Sequence, residues 1–185
     1  MNERIVRILL SLIVCLALVG CLEVPKNEEI AEKLSTHFHL PLKHFHIWGI
    51  EEKDPYLMTF KVGVGKMDYL MKFRLQDEQW RLEQVKVGDT WLPYYQATEP
   101  VVYNIMKDGM YAITVALKNF FETNNRYPSS LSELQDINIM DPWDNDYVYV
   151  PKDEYYRYDL SCNGADGVPG GPDDLSVNQH SEWSR

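Results

Sequence analysis

The chain is poor in cysteine, poor in basic charge, and has no apolar run long enough to cross a bilayer. Of its 185 residues three are cysteines. Cys15 lies in an apolar N-terminal run and Cys21 closes it, so Cys162 has no intramolecular partner in the remaining chain. A folded domain without a disulfide has to rely on core burial or on a metal. Eighteen basic side chains stand against 28 acidic ones, a formal charge of −10. Such a surface repels phosphate backbones, which excludes nucleic acid as a partner and favours cations. The run from Ile8 to Val19 falls well short of the ~20 residues a spanning helix requires. Catalytic signatures are also missing: there is no Gly-x-Ser-x-Gly elbow, phosphate loop or His-Glu-x-x-His pair. Cys162 with His180 is the one nucleophile–base pair worth naming, and His180 falls in a polar tail, 177–185, that reads as disordered. The composition therefore points away from an enzyme.

What is present begins at the N-terminus. Arg4 and Arg7 precede the apolar run, which ends in Leu18-Val19-Gly20-Cys21. A positive start, a short apolar stretch and a small residue before the break are the parts of an export signal. The last four residues resemble a bacterial lipobox, which implies cleavage before Cys21, lipid on its thiol and a short tether over 21–26. Several acyl chains hold a protein to a membrane stably where one is marginal. Removing 1–20 takes away Arg4, Arg7 and Glu3, from 18 basic and 28 acidic side chains to 16 and 27, a charge of −11. Leu22, in place of an aspartate after the cysteine, leans toward the outer membrane if the organism has one.

With 45% hydrophobic residues and five tryptophans the remainder is expected to fold, as an α+β chain of two domains. The first, 27–97, opens with an amphipathic helix over Asn27 to Thr36. Apolar residues then alternate: Tyr56, Met58, Phe60, Val62 and Val64 share one strand face, and Met67, Tyr69, Met71, Phe73 and Leu75 share another. Gly65-Lys66 reads as the hairpin turn between them. A third strand, Trp80 to Val87, changes apolar phase between Leu82 and Val85, which predicts a bulge or bend, and Ile47 to Ile50 supplies a fourth. A helix across a bent meander resembles cystatin-like or NTF2-like domains in architecture only. Tyr56, Phe60, Tyr69, Phe73 and Trp80 could line a ligand-binding cup or form plain core. His37, His39, His44 and His46 make two His-x-His pairs, either a metal cluster or a partly packed mixed segment.

The second domain, 98–176, is read as a long helix opened by Thr98-Glu99-Pro100 and carrying an apolar stripe to Phe121. Gly109 within the stripe marks close packing. Asn124-Asn125 stops the helix, and Ser130 to Glu133 forms a capping box for a short second one. Then come Asp141-Pro-Trp-Asp-Asn-Asp-Tyr147, Tyr149-Val150-Pro151, Tyr158-Asp159-Leu160 and Gly164-Ala-Asp-Gly167. With Asn125-Arg-Tyr-Pro128 these resemble, in the same order, the globular head of the major pseudopilin of type II secretion systems, over about 100–176. Asp144 and Asp146 stand where that pattern carries glycine and proline. The resemblance implies a small antiparallel sheet and a calcium loop in which Asp166, Asp173 and Asp174 supply carboxylates and Asn163 its backbone carbonyl. Calcium takes six to eight oxygens, which a glycine-rich loop is able to converge.

The pseudopilin's own N-terminal helix and prepilin-peptidase site are missing, with the lipobox and first domain in their place. The expectation is therefore a membrane-held envelope lipoprotein that presents a calcium-stabilised head to partner proteins of a secretion or pilus-like assembly. The alternative is a ligand-binding lipoprotein that uses the aromatic cup.

Overall fold

Spacing of apolar side chains sets the first layer of the structure, a computed structural model that describes residues 24–178 and 183–184. In helix α1, Asn27–Phe38, Ile30, Leu34 and Phe38 recur every four residues and are fully buried, while Glu28 and Glu29 sit near the positive end of the helix dipole. The helix ends at His39, which takes a left-handed conformation with φ 52°. It packs on an antiparallel sheet of β1 (Phe45–Lys53), β2 (Leu57–Val64), β3 (Met67–Gln76), β4 (Gln79–Val87) and β5 (Thr90–Pro93), paired in chain order. Met58, Phe60, Val62 and Val64 of β2 face Tyr69, Met71 and Phe73 of β3 across one buried surface.

The phase change in β4 is a bulge. Phe73 pairs with Leu82 and Lys72 with Gln84, so Glu83 is the extra residue. Other expectations shift. The meander has five strands instead of about four, because Thr90–Pro93 returns along β4 after the Gly88-Asp89 turn. The edge strand β1 is nine residues long, well beyond Ile47 to Ile50. Tyr56 lies before β2 and is exposed, as is Met67 at the start of β3; at strand ends the face alternation no longer implies burial.

Helix α2, Tyr94–Asn124, is about 46 Å long at ~1.5 Å per residue. It begins four residues before Thr98, which is no cap: its hydroxyl donates back to the Tyr94 carbonyl. Pro100 accordingly falls in the second turn, where it removes the N–H that would bond Gln96. The helix ends as its Asn-Asn pair predicts, with Asn125 at φ 55°. Gly109 packs beneath the Tyr147 hydroxyl, where a Cβ would collide with it. The expected second helix is one 3-10 turn, Leu131–Glu133, and Ser129, not Ser130, holds Glu133 through its N–H (2.6 Å) and its hydroxyl.

A second sheet follows: β6 (Val148–Lys152), β7 (Arg157–Cys162), β8 (Leu175–Asn178) and β9 (Trp183–Ser184), again antiparallel and in order. The polar tail thus contributes strand residues, because Val177 pairs with Leu160 and is buried. Leu160, Cys162, Leu175 and Val177 close a core against Met110, Ile113 and Leu117 of α2.

Helix α2 belongs to both cores. Ala97, Val101 and Ile105 complete the first, and Met106 onward enters the second. A clasp between 39–44 and 142–144 adds to this shared spine. The Trp143 indole donates to the His39 carbonyl at 2.7 Å, His44 Nε2 meets the Pro142 carbonyl at 2.7 Å, and Lys43 pairs with Asp144.

Candidate functional site

The glycine-rich loop between β7 and β8 is the segment whose chemistry exceeds what the fold needs. It is tied to the Trp turn through Asp141, which is 3% exposed. Asp141 Oδ1 accepts the N–H groups of Trp143 (2.9 Å) and Asn145 (2.8 Å), and its Oδ2 receives the Cys162 thiol at 3.5 Å. Asn145 then donates to the Gly164 carbonyl at 3.4 Å. Asp144 has φ 68°, the left-handed region that explains why the resembling pattern carries glycine there; aspartate tolerates it better than most residues.

Within the loop each predicted aspartate gives one oxygen to a backbone N–H. Asp166 Oδ1 takes Val168 (2.8 Å), Asp173 Oδ2 takes Ala165 (2.9 Å) and Asp174 Oδ2 takes Gly170 (2.6 Å). Gly164, at φ 66°, presents only a hydrogen to the Asp173 carboxylate, so a side chain there would displace that group. Asn163 sends its side-chain amide to the Gly167 carbonyl at 3.4 Å.

Asp174 Oδ1 is buried without a hydrogen-bond partner, and a carboxylate oxygen in that state demands a cation or a donor. That orphaned oxygen is what the loop offers a cation such as calcium. Asp166, Asp173 and Asp174 are not drawn together as a three-carboxylate set; among the described residues no three His, Cys, Asp or Glu side chains form one.

The four histidines are dispersed. His37 lies against the Tyr94 ring at 4.8 Å, His44 is in the clasp, His46 stacks edge-on to Trp48 at 4.1 Å, and His39 ends α1. Of the expected cup, Phe60, Tyr69, Phe73 and Trp80 are core and Tyr56 lies outside it. The largely apolar cavity lies elsewhere, about 440 Å³ between the end of α1, the start of α2, Trp143 and the glycine loop. The sequence reading missed it because its walls come from four separated segments. Cys162 is buried, and burial foremost, with Asp141 nearby, pushes its thiol up to about 12, which makes it a poor nucleophile. Cys21 and His180 lie outside the described residues. Among those residues no helix is long and apolar enough to cross a membrane.

The family model for type II secretion system protein G matches residues 134–179. The match takes in the Trp turn, β6 to β8 and the glycine loop, and stops short of α2. No curated protein and no solved structure matches the chain.

Proposed function

We propose that this chain is a non-enzymatic envelope protein, held to a membrane by lipid on Cys21, that presents a pseudopilin-like head to a secretion or surface assembly. The observation that carries the reading is that the 134–179 match coincides with a sheet folded on the second half of a long helix. That is the arrangement the sequence motifs call for. The first half of the chain is an α+β layer, read as cystatin-like or NTF2-like, that shares the long helix with it. An anchored head of this kind meets its partners from the membrane surface.

Calcium in the glycine loop is part of the proposal. Asp174 would hold the ion; Asp173, Asp166 and the Asn163 carbonyl, which the resemblance adds, would have to be drawn in around it. Bound only to the folded state, it would stabilise by about 2.7 kcal/mol at a hundredfold excess over Kd. The test is thermal unfolding of the purified full-length chain in excess EGTA and in millimolar calcium. A rise in Tm that Asp174→Asn removes supports the loop metal, and no rise refutes it. The anchor is tested separately by metabolic palmitate labelling, which Cys21→Ser has to abolish. Cross-linking in intact cells then has to capture secretion-assembly subunits; recovery of the monomer alone would refute the assembly role.

A further inference from the structure

We infer that a tether of three residues holds one end of the first sheet against the lipid surface, with the head facing away from it. The inference rests on the lipid at Cys21 proposed above, and it adds which part of the protein meets the bilayer. Val24 packs against the first core and Pro25 is buried, only three and four positions after Cys21. Three residues reach at most about 11 Å even when fully extended. Whatever surrounds Val24 therefore stays within about one tether length of the membrane.

The surroundings of Val24 are one end of the sheet. Val24 and Lys26 line a hollow together with Leu75, Gln79 and Trp80 at the β3–β4 turn. The β1–β2 turn lies at the same end, because the Leu75 N–H donates to the Tyr56 carbonyl at 2.9 Å. That turn presents Tyr56, 54% exposed, an aromatic ring with a polar tip of the kind that sits well at headgroup level. From here β3, ten residues long, spans about 30 Å to the Gly65-Lys66 turn at the opposite end. Helix α1 crosses in the same sense, about 18 Å from the Val24 end to His39 and the clasp. The glycine loop and the Phe38-His39 end of α1 line one cavity, so the loop belongs to the far side.

The tether limits distance, and charge decides the tilt. Residues 24–93 carry 10 basic and 11 acidic side chains, a charge of −1, whereas 94–178 carry 5 and 14, a charge of −9. An anionic headgroup layer repels the second half and barely affects the first. Lying flat would bring carboxylates of the head inside the ~8 Å Debye length of physiological salt. Standing on the Tyr56 end keeps them outside it.

The test is fluorescence quenching of the acylated protein in phosphatidylethanolamine–phosphatidylglycerol vesicles whose headgroups carry a spin label. A dye is attached through Gln79→Cys at the near end or Lys66→Cys at the far end; both positions are exposed, and Cys162 is buried. The dye at position 79 is expected to lose most of its emission and the dye at position 66 to keep it. Equal quenching at both positions, quenching at neither, or stronger quenching at 66 overturns the inference. Palmitate labelling of the same samples separates the two readings: with the label present such a result leaves the anchor standing, and without the label both fall. A Gly-Ser insert of about 16 residues after Glu23, with an r.m.s. span of about 22 Å, is expected to erase the difference. A difference that survives the insert refutes the tether as its cause.

Discussion

Cys162 illustrates how much a single residue's surroundings decide. In the sequence it is a lone thiol; in the fold it is fully buried and its hydrogen points at Asp141, 3.5 Å away. Burial raises its thiol to about 12, so the native protein is expected to resist iodoacetamide at pH 7 and to label only after denaturation. Rapid labelling of the native protein would contradict that environment. His37 behaves oppositely in sign. Burial first, and then the charges of Lys33 and His39, lower its imidazole below the ordinary value. Above an unfolded value of about 6.5 both states are neutral there and the residue has no pH effect. As pH falls below that value the unfolded chain takes up the proton first, so stability drops. Urea unfolding between pH 7 and 5.5 is expected to show this drop, and His37→Gln to flatten it.

At the scale of an element, α2 shows what a helix bears when it serves two cores. Pro100 in its second turn and Gly109 at its middle both work against helix formation, the glycine by about 1 kcal/mol relative to alanine. Gly109 stays because the Tyr147 hydroxyl occupies the space a Cβ would take. Gly109→Ala is therefore expected to destabilise the protein: overpacking costs about 1–3 kcal/mol and offsets the propensity gain. A lowered Tm and a shifted Tyr147 environment in near-ultraviolet circular dichroism would register it; a raised Tm would mean that the sheet moves aside. Gly109 was legible from the sequence as a site of close approach, but its partner was not. Tyr147 lies 38 positions away, and the turn that brings it there is fixed by Asp141.

For the whole molecule, the shared helix and the 39–44 clasp predict that the two halves unfold together. Val102 and Trp143 touch both cores. Trp143→Ala removes a half-buried ring and its bond to His39. Its expected cost is below the ~3–5 kcal/mol of a fully buried aromatic, with the single calorimetric transition broadening or splitting in two. A wild-type scan with two resolved peaks would show that the clasp does not couple them. The clasp also engages Asp144, which stands where the resembling pattern carries glycine: it pairs with Lys43, 101 positions away.

The sequence by itself determined the strand faces of β2 and β3, the bulge in β4, the helix stop at Asn125 and the charge that excludes nucleic acid. Each of these follows from neighbours in the chain: alternation, a phase change between Leu82 and Val85, an asparagine suited to the left-handed region, a count of acids. The tertiary structure alone decided that Phe60, Tyr69, Phe73 and Trp80 of the first sheet are core, that Thr90–Pro93 completes it, and that the histidines are scattered. It also placed the cavity between Phe38, Met106, Trp143 and Leu175. Those outcomes depend on which distant surfaces meet, and the free energy of burying one apolar face against another does not record where in the chain the partner lies.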